Sequence, residues 1–174
     1  MDFSKIDEDF SKEIIRGAEA YLDGQLKIAI AADHRASSLA GMYAAATTAL
    51  VAAVVTLSNS TWSTSVRVPL AVGGGIAALL FLTGAWLCLQ AVMPVQFSLP
   101  GFEPDNLDGE IKAGKKLHDC RGELARHLQD HIDSNHQAIK SNANKFKWGA
   151  YIGIAAPLVG FIVWLLISVC GWIR

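Results

Sequence analysis

Two groups of residues have the types and spacing that chemistry requires. Asp33, His34 and Arg35 stand in a row at the edge of 31 residues, Ala36 to Val66, that carry no charge. An acid, an imidazole and a guanidinium side by side can hold a ligand or gate a channel. They can also anchor a helix at a membrane surface, with Arg35 among head groups and Asp33 paired to it or to a neighbouring helix. Glu123, His127 and His131 form the second group, at i, i+4 and i+8, with Asp119, Cys120 and Asp130 close by. Two histidines four apart on one helix face can share a metal. The zincin pattern needs Glu directly after the first His, and "HLQDH" has Leu128 there. A binding or assembly metal remains open, against a plain solvated face. His118, His127, His131 and His136 also suit pH sensing.

Enzyme signatures are missing. Gly73–Gly75 is followed by Ile76 and Ala77, without the Lys and Ser/Thr of a phosphate loop. There is no serine elbow, and Cys120 with His118 lacks an orienting acid. The chain is therefore not expected to be an enzyme or to carry a cofactor.

The elements that position these groups follow from the distribution of charge. Of 174 residues, 52 % are hydrophobic and 18 % charged, against about 25 % charged in soluble domains. Ala36–Val66, Val68–Phe102 and Trp148–Ile173 carry no charge, and Arg67 separates the first two. A bilayer core needs about 20 apolar residues as a helix. The tracts predict an all-α integral membrane protein with three transmembrane helices, at about 37–58, 68–93 and 148–172, and two amphipathic cytoplasmic helical segments. The alternative is a soluble protein with buried core helices. Four regions follow: 1–35, 36–93, 94–147 and 148–174. The 35 residues before the first tract are acidic, unlike the short basic start of a secretory signal.

Residues 1–35 hold five Lys/Arg and 103–147 hold eight, while the 59–67 loop and the C-terminus hold one each. The positive-inside rule then places the N-terminus and 103–147 in the cytoplasm and the C-terminus outside. The same two segments carry all 16 acids, so they are not a simple polybasic lipid patch, and no nucleic acid is expected as a partner. Cys88, Cys120 and Cys170 are expected to stay reduced.

Phe3, Ile6, Phe10, Ile14, Ala18, Tyr21 and Leu22 predict an amphipathic helix over 3–30 that packs on a partner helix. In the first span Ser37, Gly41, Ala45, Ala49 and Ala53 form a small-residue row, with Ala40, Ala44, Thr48, Ala52 and Thr56 beside it. Such rows let helices approach closely in lipid, so this span is expected to be central and covered by others. Gly149 and Gly153 form a second helix-contact motif. Pro94, Pro100 and Pro104 stop the second span. A long helix from Asn106 or Leu107, with Asp108 and Glu110 in its first turn, is expected to run toward the third span. Asn135 and Asn142 interrupt its apolar stripe, where a buried Asn can fix register. Pro157 is expected to kink the third span.

"AADHRASSLAGMYAAATTAL" and "ELARHLQDHIDSNHQAIKSNANKFKWGAYIG" resemble the Pycsar transmembrane effector family, with its aspartate-x-basic-alanine approach to the first span and its helix before the last. The layout is similar too: a two-span hairpin, Pro94 after it, a cytoplasmic helix and a Lys-aromatic step at Lys145 and Phe146. The resemblance implies a bacterial antiphage effector of the inner membrane. It would form a homo-oligomer and impair the bilayer on a cyclic pyrimidine nucleotide signal, although the chain shows no cyclic-nucleotide-binding domain. It adds Lys145 to Asp33, His34 and Arg35 as ligand or gating candidates. A non-pore scaffold for a cytoplasmic partner, and a metal- or pH-responsive channel, are the alternatives.

Overall fold

The computed structural model describes residues 7–101, 109 and 112–172. Phe3 and Ile6 of the amphipathic stripe, the expected helix start at Asn106 or Leu107, its acidic turn (Asp108, Glu110) and Arg174 lie outside the described residues. So do the side chains at 8, 117–119 and 171–172.

The described residues form three long helices and no strand: α1 (Glu8–Ser58), α2 (Thr64–Val92) and α3 (Leu117–Trp172). All three are long and apolar enough to cross a membrane. No proline interrupts residues 8–58, so the amphipathic segment and the first span are one helix, continuous through Asp33, His34 and Arg35. At its end the Asn59 amide reaches back to the Val55 and Thr56 carbonyls at 3.3 and 3.2 Å. Arg67 donates to the Ser58 and Ser60 carbonyls at 3.5 and 3.4 Å. A cation at a helix C-terminus complements its dipole, so the one charge between the first two tracts closes their hairpin. α2 stops because Pro94 forbids helical backbone before it, and Met93 is extended (φ −55°, ψ 137°).

The expected helix from 107 is interrupted. A helical turn ends at Ala113, whose amide bonds the Gly109 carbonyl at 3.0 Å. Gly114 then takes φ +66°, the left-handed conformation in which helices terminate. The long helix restarts at Leu117 and runs 56 residues through Pro157, about 84 Å.

The chain divides into two compact units. The first comprises residues 1–31 and 94–140. Leu22 and Gln25 of α1 and Ala125, Leu128 and Asn135 of α3 are buried in it. The Gln25 side-chain amide donates to the Ile132 carbonyl at 3.1 Å. Asn135, fully buried, accepts from the Ser98 amide and donates to the Ser98 carbonyl, both at 2.9 Å. One carboxamide therefore satisfies both backbone groups of one residue, as a neighbouring strand would, and pins the proline-bounded segment 94–101 to α3. A buried Asn in the stripe was legible in the sequence; its partner is a backbone, not a second Asn.

The second unit comprises residues 32–93 and 141–174. Its outward surface is apolar: Met42, Leu79, Ile154 and Leu158 are each about two-thirds exposed. Such a surface is what hydrocarbon, rather than water, solvates. Inside it α2 and α3 lie antiparallel with their backbones nearly touching. A Cβ on Gly73 would lie 2.6 Å from the Gly160 carbonyl oxygen, and one on Gly160 would lie 2.8 Å from that of Gly73. Gly84 and Gly149 repeat the arrangement at 3.0 and 2.9 Å, and buried Ala77 and Ala156 fall in the same register. Tyr43 of α1 covers Gly153, where even a methyl would overlap its ring, and its hydroxyl donates to the Ala150 carbonyl at 3.1 Å. Ala40, Tyr43, Ala85 and Cys88 form the core of this unit, with Leu39, Phe81 and Phe146 against it. Tyr43→Phe keeps the ring and removes that bond. The expected loss is about 0.5–1 kcal/mol in a reversible unfolding assay in micelles.

The expected packing of α1 needs correction. Gly41, Ala45 and Ala49 are exposed, and nothing lies within 4 Å of a Cβ on Gly41. The face that packs is Ala36, Ala40 and Tyr43. The best-covered span is α2, 33 % buried against 11 % for α1. The glycines of α2 let α3 come to backbone contact, and this leaves most of α1 outside.

Candidate functional site

Asp33, His34 and Arg35 sit on continuous helix, so successive side chains point about 100° apart. Asp33 is half-buried, and His34 and Arg35 are exposed. Among the described residues none of the three side chains has a hydrogen bond or ion pair. Beside them the Ser38 hydroxyl donates to the His34 carbonyl, at 2.8 Å. The cluster is thus an unpartnered set of an acid, an imidazole and a guanidinium at the start of the apolar unit. Lys145 is not drawn to it. Its ammonium donates to the Gln90 carbonyl at 3.4 Å, where it complements the C-terminal end of α2.

The metal constellation does not assemble. Glu123 is bonded by Lys115 through both carboxylate oxygens, at 3.0 and 3.2 Å, and His127 is exposed. His131 is half-buried with its Nδ1 enclosed and unpartnered. Among the described residues no three His, Cys, Asp or Glu side chains converge to hold a metal. The i, i+4, i+8 spacing spreads the three along and around α3, and Lys115 takes the one carboxylate.

The structure brings together a set that the sequence did not suggest. Tyr21 of α1 and Gln129, Ile132, Asp133 and His136 of α3 line a polar cleft of about 390 Å³. Positions 129, 132, 133 and 136 follow helical spacing, which could have marked a face. The pairing of that face with Tyr21 depends on the register of α1 against α3. Gln129 donates to Asp133 at 3.0 Å. Tyr21 offers a stacking face and Gln129 an amide, and the Asp133 carboxylate disfavours a phosphate. By its chemistry the cleft suits an uncharged or cationic ligand better than a nucleotide.

The GxxxG motif at Gly149 and Gly153 lies in contact: Gly149 meets Gly84 and the Cys88 sulfur, and Gly153 meets Tyr43. Comparison of the chain with family models, with curated proteins and with solved structures returns no match.

Proposed function

We propose that this chain is a membrane effector whose spans associate with those of other copies, under control of the helices that carry most of its charge. The observation that supports this reading is the exposed small-residue face of α1, Gly41, Ala45, Thr48 and Ala52. In lipid, such a face gains most by meeting another helix. The three spans contain no acidic residue, lysine or histidine, and Arg67 lies just before the second of them, which disfavours a proton relay or a permanently charged pore. The narrower proposal follows the family resemblance: a bacterial inner membrane, N-terminus in the cytoplasm and C-terminus outward, and impairment of the bilayer on a cyclic pyrimidine nucleotide signal. Asp33 and Arg35 would couple the two units along α1.

The test is expression with and without a cyclase making such a nucleotide, while a potential-sensitive dye is followed. Depolarisation that needs the cyclase, and that Arg35→Gln abolishes without loss of protein, is the expected result. Unchanged potential under every nucleotide removes the nucleotide-triggered reading.

One observation favours a second reading, a scaffold. Phe10, Tyr21 and Ile28 of α1 share one azimuth and are 55–60 % exposed, a stripe suited to a partner helix. Capture of one stoichiometric partner with no ion leak would support it.

A further inference from the structure

Asn144, Lys147, Trp148 and Tyr151 stand at i, i+3, i+4 and i+7 of α3, on one face of the helix. All four are exposed, and each carries a hydrogen-bond donor: a carboxamide, an ammonium, an indole N–H and a phenol. The two rings stand edge to face, with centroids 6.3 Å apart and planes at 90°. Further along α3 the same face continues as Ile154 and Leu158, 66 and 64 % exposed. Donors thus give way to bare hydrocarbon within one turn of Tyr151.

The Lys147 charge lies deeper than helix geometry alone places it. Side chains on a helix lean toward its N-terminus, and a lysine at the edge of a span stretches out to water. Both tendencies would carry the ammonium toward Asn144. It lies instead over the Tyr151 ring, 5.7 Å from the centroid, beside a residue one turn inside the charge-free tract that begins at Trp148. An exposed ring offsets only part of a charge, and no acid supplies the rest. Among the described residues no carboxylate pairs with Lys147, and none follows Asp133 in the sequence. Lys145, two positions away, is placed differently, on the Gln90 carbonyl.

We propose that this face binds the phosphate of an anionic phospholipid, with an acyl chain lying along Ile154 and Leu158. The phosphate takes the ammonium as counter-ion and the Trp148 and Tyr151 groups as neutral donors. A lipid suits the face better than free phosphate, because the hydrocarbon stripe begins where the donors end. A net negative head group suits it better than a zwitterionic one, because choline brings a cation that competes with Lys147 for the Tyr151 ring. The proposal rests on α3 lying in lipid. It is independent of the effector reading and of which side of the membrane each end faces.

The test uses the full chain with Trp148 as its only tryptophan (Trp62, Trp86, Trp164 and Trp172→Phe), in phosphatidylcholine vesicles. Acyl-brominated phosphatidylglycerol or acyl-brominated phosphatidylcholine replaces part of the lipid; bromine quenches an indole that it touches. Phosphatidylglycerol is expected to bind beside Trp148 about fivefold more strongly than phosphatidylcholine, the share of one basic residue at a membrane surface. Lys147→Gln should bring that ratio to about one, and Lys147→Arg should keep most of it. Lys145→Gln, which removes the same charge at nearly the same depth from another face, should also keep it. Equal quenching by the two lipids in the unmodified face overturns the proposal. So does an equal loss in Lys145→Gln and Lys147→Gln, which would mean diffuse charge rather than a site. Displacement of the brominated lipid by inorganic phosphate at matched ionic strength overturns it in favour of a free anion. Failure of either lipid to quench Trp148 would show that α3 does not lie in the bilayer, and the spanning reading falls with the proposal.

Discussion

Gly73→Ala and Gly160→Ala are each expected to destabilise the spanning unit by about 1–3 kcal/mol, the cost of overpacking a site that cannot yield. At Gly73 the new methyl meets the backbone oxygen of Gly160 at 2.6 Å, and at Gly160 it meets that of Gly73 at 2.8 Å and the Ala77 Cβ at 2.9 Å. No flexible side chain stands there to swing aside, so α2 and α3 must separate. Once one methyl has parted them, the second meets less resistance. The double variant is therefore expected to cost less than the sum of the singles, by about 0.5–3 kcal/mol, as for residues in direct contact. Gly41→Ala, with nothing within 4 Å of its Cβ, is the control and should leave the folded chain unharmed. Reversible unfolding in micelles, followed by circular dichroism, measures all four. Additive penalties would mean that the two glycines do not face each other.

Asn135→Leu is expected to cost the first unit about 2–4 kcal/mol. Both hydrogen bonds to Ser98 vanish, and two backbone groups lose their partner on α3; each bond is worth about 1 kcal/mol net and each orphaned group about as much again. Leucine fills nearly the same volume, so the loss reports on the bonds rather than on a cavity. Hydrogen exchange locates the effect. The Ser98 amide should exchange much faster in the variant, while amides in the middle of α3 keep their protection. Asn135→Gln is not expected to rescue it, because the longer side chain moves the carboxamide away from the paired positions. Slow Ser98 exchange in the leucine variant would show that something else holds the 94–101 segment.

Much of the fold could be read from where charge is absent. A span must satisfy every backbone group within itself, so tracts of 26 residues or more without charge dictate helices whatever surrounds them. The proline stop after α2 was legible for a similar reason, since the restriction on Met93 is local. Contacts between helices were less legible. The small residues at 73, 77 and 84 and at 149, 156 and 160 are plain in the sequence, but which meets which depends on the register of two antiparallel helices. On α1 the packing face within the chain takes Ala40 from the second of the two expected rows and adds Ala36, while Ser37 and Gly41 of the first row stay exposed. In a helix made of alanine, every face looks like a packing face, and the bulky exception, Tyr43, was the more informative residue. The candidate site behaved in the same way. The line of Asp33, His34 and Arg35 is given by sequence adjacency, whereas the separation of Lys145 from it is set by the end of α2. The break at Gly114 was visible as a glycine, but its left-handed conformation follows from the turn that it closes.

The glycine seam also bears on how the protein is made. α2 emerges from the ribosome about 80 residues ahead of the end of α3, a delay of about 4–16 s at ordinary rates of synthesis. Through that interval its bare glycine ridge has no mate, and a hairpin already threaded into lipid must wait for its third member. Whatever accompanies the nascent hairpin during those seconds must therefore shelter a strip of naked peptide backbone, and let go of it once the last helix arrives.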